Sequence, residues 1–352
     1  MPRTITYAQA INEALHQAME LDPSVICYGL GTDDPKGVFG TTLGLQERFG
    51  EQRVFDMPTA ENAMTGIAIG ASLNGIRPVM THQRLDFFLL AMDQLVNNAA
   101  KWRYMFGGQS CVPITLRLIL GRGWGQGPTH SQNLQAWFAH IPGLKVVMPT
   151  TPADAKGTLL TSIFDNNPVV FLEHRWLHGA KGEVPDGDHR VPLGEAARVR
   201  TGDDLTIVSL SYMTVEAISA VECLQANGAS CDLIDVRTIK PMDWETVYAS
   251  VRKTGRLLVL DTASETGSFA GEVIARVTMD CFDVLKGAPR RLALPDAPTP
   301  TSLALTKSFY NRSEDILTLA AEMLGLEVTS AMLNTSENTP HDVPDSSFKG
   351  PF

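Results

Sequence analysis

Short apolar runs alternate with segments of helical periodicity along most of this chain. Ser24–Gly29 and Pro168–Leu172 are short, largely apolar runs of the kind found in buried parallel strands. Residues 7–22 repeat apolar side chains every three or four positions, which predicts an amphipathic helix. Further helices are predicted over 41–49 and 85–105. Strands that alternate with helices in this way predict an α/β fold with doubly wound sheets.

The alternation stops in a polar stretch and then starts again, which predicts two domains. Residues 179–194 are rich in Gly, Asp and Pro and are typical of a linker. The apolar run Leu205–Leu210 begins a second series of strands and helices, and from about Val328 the chain is rich in Ser, Thr, Asn and Pro. We therefore expect a first domain over residues 1–185, a linker over 186–195, a second domain over 196–327 and an extended tail over 328–352.

The segment Phe55–Leu73 predicts a strand end, a turn and then a helix without charge beyond its first turn. Thr59 is the expected N-cap of this helix. A helix that is apolar on all sides is typical of a core or a subunit interface, and its small residues would allow another backbone to come close. Glu61 stands at the entrance of the helix. Two interpretations of Glu61 stay open: an acid that complements the helix dipole, or a buried catalytic carboxylate.

Composition narrows the class of protein. Hydrophobic residues make up 44% of the 352 residues and charged residues 19%, which is typical of a globular chain with a large core. A net charge of −10 argues against nucleic acid as a partner. The sequence has no apolar run of the roughly 18 residues that a membrane span requires, and its first residues do not resemble a signal peptide. Five widely spaced cysteines without a CxxC pair predict reduced thiols in a cytoplasmic protein.

Candidate polar chemistry follows the predicted strands. The loop Gly121–Gly127 lacks both the P-loop Lys-Ser/Thr and the GxGxxG spacing, so a structural or substrate-channel role is favoured over phosphate binding. His130 comes next, near the end of a strand, where open α/β sheets bind ligands. A hydrogen-bonded structural histidine is the alternative. The residues by themselves predict an oligomeric two-domain α/β protein with a site near Glu61 and His130.

The order of several motifs is more specific. The chain contains Phe55-Asp-Met-Pro-Thr-Ala-Glu-Asn-Ala, Met92-Asp-Gln-Leu-Val-Asn-Asn-Ala-Ala-Lys101, Thr129-His-Ser-Gln132 and Val236-Arg-Thr-Ile-Lys-Pro-Met242, in that order. From about residue 4 to residue 326 it resembles the β subunit of the thiamine-diphosphate-dependent E1 component of 2-oxo acid dehydrogenases, the family of pyruvate, branched-chain 2-oxo acid and acetoin dehydrogenases. This resemblance implies a transketolase-like pyrimidine-binding domain followed by a transketolase C-terminal-like domain.

The resemblance also implies partners and roles for residues. It implies an α2β2 heterotetramer with a β–β contact, in which an E1 α subunit holds the diphosphate and Mg2+ of thiamine diphosphate. Glu61 would hydrogen-bond the pyrimidine ring and activate the cofactor, Phe87 would pack against the pyrimidine, and His130 would act near the substrate. A monovalent cation, K+, is implied at a site built mainly from backbone carbonyls. The residues of that implied cation site are Ile114, Ser162, Ile163, Asp165 and Asn167.

The sequence also departs from the family pattern. Leu30 stands where relatives carry an acid that joins the proton network near the cofactor. His82, Trp124 and Gln126 are unusual at the substrate end. The polar run Thr81–Arg84 suits a hydroxylated or anionic substrate.

The function that follows is that of a β subunit of a heteromeric enzyme. The enzyme would decarboxylate a 2-oxo acid and pass the acyl group, by default, to the lipoamide of a lipoyl-bearing E2 acyltransferase. Two alternatives stay open. One is the C-terminal half of a split transketolase-like enzyme that transfers two-carbon ketol units, and the other is a non-catalytic regulatory subunit.

Overall fold

The computed structural model describes residues 3–34, 36–121 and 126–327. Within these residues, fourteen strands form three sheets. The strands are β1 (Arg3–Thr6), β2 (Val25–Gly29), β3 (Val54–Asp56), β4 (Arg77–His82), β5 (Thr115–Leu120), β6 (Lys145–Val147), β7 (Val169–His174), β8 (Lys181–Val184), β9 (Ala197–Arg200), β10 (Leu205–Ser209), β11 (Cys231–Asp235), β12 (Thr238–Lys240), β13 (Leu257–Ser264) and β14 (Arg290–Leu294).

Helices connect most of these strands. The described residues contain the α-helices α1 (Tyr7–Leu21), α2 (Gly37–Gly40), α3 (Leu45–Phe49), α4 (Glu61–Ser72), α5 (Leu85–Phe88), α6 (Ala100–Met105), α7 (Gln135–His140), α8 (Pro152–Ile163), α9 (Tyr212–Ala226), α10 (Trp244–Thr254), α11 (Phe269–Cys281), α12 (Leu303–Thr306) and α13 (Ser313–Leu324). Short 3-10 turns at Leu89–Ala91, Arg175–Leu177 and Phe282–Val284 and a π-helical turn at Gln94–Ala99 complete the helical segments.

The larger sheet has seven strands in the order β12-β6-β7-β5-β4-β2-β3. All neighbouring pairs are parallel except β12 with β6. Strands β5 and β7 are buried along their whole length, because helices cover both faces of a parallel sheet. The parallel strands bring the ends of β2, β4, β5 and β7 to one edge, which we call the carboxyl edge. The predicted doubly wound α/β fold is confirmed.

The second sheet has five strands in the order β14-β13-β10-β11-β9, and β1 and β8 form a separate antiparallel ribbon. No helix or strand lies between Val184 and Ala197, a stretch that the structure describes completely. The sheets do not divide at this stretch, because β12 lies in the second half of the chain and pairs with β6 of the seven-stranded sheet. The tail predicted over 328–352 lies outside the described residues.

Apolar contacts also cross between the two halves. On one face of the seven-stranded sheet α1 packs against α8, and in the second half α9 packs against α13. The ring of Trp176 meets that of Tyr212 edge-on at 4.4 Å, so the core continues from one half into the other. All five cysteine thiols are free, and four of these cysteines are buried.

Two local predictions were wrong, and a third is refined. Thr59 is not the N-cap of α4: the cap position is Ala60, one residue too late for the Thr59 hydroxyl to reach the amides that a cap must bind. The helix predicted over 41–49 begins only at Leu45, because Gly44 has φ 74°, outside the right-handed helical region. The helix predicted over 85–105 is helical between those bounds, with 3-10 and π turns within it.

Candidate active site

The carboxyl edge of the seven-stranded sheet holds most of the predicted site residues. Phe87 and His82 belong to the end of β4 and the segment after it, and His130 follows β5. Leu30 follows β2, directly beside β4 in the sheet. This is the edge where open α/β sheets bind ligands.

Glu61 is the first residue of α4, and only 5% of it is exposed. No described residue forms a hydrogen bond or an ion pair with its carboxylate. The N-terminal end of a helix favours an anion, but a buried carboxylate still requires hydrogen-bond donors to offset its lost hydration. The structure therefore leaves the Glu61 carboxylate without a partner in the place where the family motif predicts contact with a ligand.

Neighbouring strands fix the position of α4. The hydroxyl of Tyr28 on β2 donates to the carbonyl of Met64 at 2.9 Å. The side-chain amide of Asn62 donates a hydrogen bond of 3.4 Å to the backbone carbonyl of Leu90. This bond joins the start of α4 to the segment just after Phe87. Glu61 and Phe87 are therefore carried by two segments that are bonded to each other.

Phe87 and His130 come together although 43 positions separate them in the sequence. Their rings meet edge-on, with centroids 5.3 Å apart and an interplanar angle of 89°. The Nδ1 atom of His130 lies 3.0 Å from the hydroxyl of Thr129. Asp86 accepts a hydrogen bond of 2.8 Å from the side chain of Gln132, which joins the segment after β4 to the segment after β5. The structure thus places the predicted pyrimidine-packing aromatic next to the predicted substrate histidine.

A buried ion pair supports this edge from below. Arg117 on β5 donates two hydrogen bonds to the carboxylate of Glu173 on β7, at 2.6 and 2.9 Å, and one to Thr81 on β4 at 3.2 Å. Both charged side chains are fully buried. Burial would raise the pKa of Glu173, but the Arg117 charge and then His178 lower it to about 2. This network links the three central strands just below the site.

Sequence analysis singled out Arg84 within the polar run Thr81–Arg84, but it missed that Arg175 lies beside it at the carboxyl edge. Arg84 follows β4 and Arg175 follows β7, and both are more than nine-tenths buried. Their guanidinium carbons lie 5.9 and 4.3 Å from the ring centroid of Phe39. Burial and the charge of Arg84 lower the pKa of Arg175 to about 10. A signal was available, since each arginine follows a predicted strand of one parallel sheet.

Several buried polar atoms at this edge have no hydrogen-bond partner among the described residues. A buried donor or acceptor left unpaired costs about 1–3 kcal/mol, so a cluster of them indicates a place that a ligand or a second chain completes. These atoms lie in segments that end or follow β2, β4 and β5. They belong to Thr32, His82, Arg84, Asp86, Ser131 and Asn133.

The residues that depart from the family pattern have different surroundings. His82 is 1% exposed with both ring nitrogens unpaired among the described residues, and burial lowers its pKa to about 3. Gln126 accepts a hydrogen bond from Arg84. Leu30 is half-buried, and its carbonyl accepts a bond of 3.1 Å from Gln83. Trp124 lies outside the described residues.

The residues of the predicted monovalent-cation site surround the end of α8. The carbonyls of Ile163 and Asp165 accept hydrogen bonds from Arg77 at 3.3 and 3.1 Å. The carbonyl of Ser162 accepts from Thr115 at 3.1 Å. The carbonyl of Ile114 accepts a hydrogen bond from the backbone amide of Val169. The side-chain oxygen of Asn167 accepts one from Arg103. The guanidinium of Arg77 therefore already supplies positive charge at two of the five predicted positions, Ile163 and Asp165.

A cleft of about 260 Å³ lies beside the His130 segment, between the two halves of the chain. Ser131 and Gln132 line it on one side, and Leu294, Thr299 and Phe309 on the other. Residues of both halves of the chain therefore line this cleft.

Comparison with known protein families identifies both halves of the chain. Residues 3–179 match the family described as transketolase, pyrimidine binding domain, and residues 194–316 match transketolase, C-terminal domain. A solved structure described as a split gene transketolase, inactive beta4 tetramer, superposes with a TM-score of 0.72 over 92% of this chain and 99% of that one. At 21% identity this likeness concerns the fold. The two family matches together define a transketolase-type chain.

Curated relatives narrow this class. The chain is 41% identical to the β subunit of acetoin:2,6-dichlorophenolindophenol oxidoreductase of Cupriavidus necator, over 92% of this chain and 98% of the relative. It is 39% identical to the pyruvate dehydrogenase E1 β subunit of Bacillus subtilis, over 91% and 98%. It is also 39% identical to the 2-oxoisovalerate dehydrogenase β subunit of that organism, over 87% and 94%. The chain belongs to the family of E1 β subunits of 2-oxo acid dehydrogenases, as its motifs predict.

The family makes the chain one component of a thiamine-diphosphate-dependent oxidoreductase that works with an α subunit. The relatives favour neither the split transketolase nor the regulatory subunit. Within the described residues, no helix is both long enough and apolar enough to cross a membrane.

Proposed function

We propose that Glu61 is the acid that activates thiamine diphosphate in an α2β2 enzyme, which decarboxylates a 2-oxo acid and passes the acyl group to an acceptor, by default lipoamide. The observation that carries this proposal is the unpaired, buried carboxylate at the start of α4. Such a carboxylate is suited to share a proton with a ring nitrogen, because burial removes competing water.

The other residues have roles that follow from their positions. Phe87 offers an apolar ring for a pyrimidine to pack against, and its edge-on contact with His130 keeps the imidazole at the same place. His130 is half-buried, so it can exchange a proton with a substrate that enters from the cleft. When bound, thiamine diphosphate supplies the carbanion chemistry that the side chains lack. Leu30 would contact the cofactor as an apolar group where relatives carry an acid.

We propose that the α subunit holds the diphosphate and Mg2+. The described residues of this chain contain no group of three or more His, Cys, Asp and Glu side chains that could hold a metal ion. A K+ ion near the end of α8 remains part of the proposal, bound by carbonyl oxygens that each have a second lone pair. Thermal unfolding in KCl and in choline chloride tests the proposed K+ site. Equal unfolding midpoints in the two salts would contradict it.

A lipoyl-bearing E2 acyltransferase is the proposed partner for acyl transfer, and the cytoplasm is the proposed compartment because all five thiols are free. Exposed apolar side chains on α4 and α6, such as Ile67 and Met105, suit contacts with the α subunit and a second β subunit. They are 58% and 55% exposed in the single chain.

The test is Glu61→Gln in a complex co-expressed with the α subunit. We expect 2-oxo acid-dependent dye reduction to fall by about 100-fold or more, because the amide cannot share a proton with the cofactor. Titration calorimetry should also show weaker binding of thiamine diphosphate. Glu47→Gln is the matched control, since Glu47 is an exposed acid in the first turn of α3. Full activity of the Glu61→Gln complex would remove the proposed mechanism.

A further inference from the structure

The buried arginines at the carboxyl edge are not used by the proposed chemistry. Arg84 is 6% exposed and Arg175 is 2% exposed, and both lie against the ring of Phe39. A buried cation is costly unless an anion or several acceptors offset its lost hydration. Two cations held at one ring make this place suited to negative charge.

The described residues supply little of that charge. The Nη1 atom of Arg84 is buried without a hydrogen-bond partner, while its other terminal nitrogen donates to the neutral amide of Gln126. Burial lowers the pKa of Arg84, and the charge of Asp86 only partly opposes this shift. Asp86 forms no ion pair with Arg84, and its Oδ1 atom accepts a hydrogen bond from Gln132. Glu173 is already paired with Arg117. The surroundings therefore leave an excess of positive charge beside Arg84.

The arginine pair lies next to the residues proposed to act on the substrate. Arg84 accepts a backbone hydrogen bond from Phe87 at 3.3 Å, and the Gln126 that it binds lies four positions before His130. The Arg84–Gln126 bond thus joins the two segments that carry the Phe87–His130 contact. An anion held by Arg84 would belong to the same molecule that these residues contact.

The loop that carries Phe39 is held in an unusual conformation. Val38 has φ 29° and Phe39 has φ 60°, values that side chains of this size rarely adopt. Gly37 before them could not accept a side chain, because a Cβ atom would lie 2.5 Å from the amide nitrogen of Leu43. Strain of this kind persists where the surrounding structure fixes a residue for a purpose. Here it holds an aromatic face against both cations.

The carboxylate lost as CO2 is a poor candidate for this anion. In that step the bond between the carboxyl and carbonyl carbons breaks, its electron pair stays on the former carbonyl carbon, and the carboxylate departs as neutral CO2. Two buried cations on that group would stabilise the ground state more than the transition state and would slow the reaction. They are suited instead to a negative charge that stays on the substrate throughout.

On this basis, and resting on the proposed function, we propose that Arg84 and Arg175 bind a permanent anionic group at the far end of the 2-oxo acid. The substrate class is thus a 2-oxo acid with a distal carboxylate or phosphate-like group. His82, which is also buried with unpaired ring nitrogens among the described residues, lies two positions before Arg84 on the same strand end. It can add a neutral hydrogen bond to the same group.

The test compares matched substrates with the purified α–β complex. Turnover of 2-oxoglutarate and of a 2-oxo acid with a terminal phosphonate is compared with that of 2-oxovalerate, which has no distal charge. We expect kcat/KM to favour one of the two anionic substrates by at least about tenfold, and the preferred one distinguishes carboxylate from phosphate. In Arg84→Met this preference should fall by about 10- to 100-fold, because kcat/KM falls more for the anionic substrate than for 2-oxovalerate.

Two controls and a second readout make the result specific. Arg84→Lys keeps the charge and should keep part of the preference, and Arg200→Gln removes an exposed arginine paired with Glu222 and should change nothing. In the complex without cofactor, glutarate should raise the unfolding midpoint where butyrate does not, and Arg84→Met should abolish the difference.

Distinct outcomes would overturn this inference and the proposed function. No turnover of any 2-oxo acid would refute the proposed function. Equal turnover of anionic and neutral substrates would refute the anionic subsite alone. An equal loss for both substrate types in Arg84→Met, with weaker α–β assembly, would show instead that the arginines pair with a carboxylate of the α subunit.

Discussion

Replacing Arg117 with Met should destabilise the seven-stranded sheet strongly. The change leaves Glu173 buried without its bidentate partner and Thr81 without a donor. Among the described residues, His178 remains close to the charge, with its Nε2 atom 3.4 Å from the carboxylate. An uncompensated buried charge is among the few causes of a large loss of stability from one substitution.

The size of the effect can be worked from the pKa of Glu173. The folded protein lowers this pKa from 4.5 to about 2, and each unit corresponds to about 1.4 kcal/mol, which gives roughly 3 kcal/mol at neutral pH. Breaking a buried pair costs about 3–5 kcal/mol in general. Because the folded pKa is lowered, this stabilisation is present above the unfolded pKa and is lost as the pH falls from about 4.5 towards 2.

Urea unfolding at pH 7 measures the loss. We expect the free energy of unfolding to fall by about 3–5 kcal/mol in Arg117→Met, and by less in the double variant Arg117→Met/Glu173→Met, which removes both charges. Arg200→Met, at an exposed pair, is the control and should cost no more than about 1 kcal/mol. A loss below 1 kcal/mol in Arg117→Met would show that the pair does not support the carboxyl edge as argued.

Two further predictions concern pH and assembly. Burial raises the pKa of Asp235 from 3.8 to about 7. Between these two pH values the folded state keeps a proton that the unfolded state has released. The free energy of unfolding is therefore unaffected by Asp235 below about pH 3.8 and falls as the pH rises to 7. Asp235→Asn should raise the free energy of unfolding by up to about 4 kcal/mol at pH 8 and by little at pH 4, and an equal gain at both pH values would contradict this. Ile67→Lys, on the exposed face of α4, should weaken α–β assembly at least tenfold by mass photometry. Val215→Lys on α9 is its control, and unchanged assembly of Ile67→Lys would show that this face is not an interface.

The strands were predictable because a buried parallel strand leaves a local trace. Ser24–Gly29 and Pro168–Leu172 are apolar runs too short for helices, and they fall on β2 and β7 within two residues. The π-helical turn at Gln94–Ala99 leaves no such trace. It brings Gln94 within 3.3 Å of Asn62 on α4, a contact between distant segments that periodicity does not encode.

The candidate site was only partly predictable. Motif order pointed to Glu61, Phe87 and His130, and the contact between the last two follows from the adjacency of β4 and β5 in the sheet. The meeting of Arg84 with Arg175 at Phe39 needs the full strand order, because three loops far apart in sequence supply it. The absence of a described hydrogen-bond partner for the Glu61 carboxylate could not be predicted either, since a sequence does not show which donors reach a carboxylate.

The pairing of β12 with β6 has a consequence for any experiment that uses only half of this chain. Thr238–Lys240 covers the edge of the seven-stranded sheet at β6, although it lies more than forty positions after the first half ends. A fragment cut within 186–195 would present the bare edge of β6 to solvent, and exposed edges recruit strands from other molecules. The first half of the chain is therefore not an independent unit. A fragment made by proteolysis, gene fusion or recombination between relatives must retain β12 or contain another strand that covers the edge of β6.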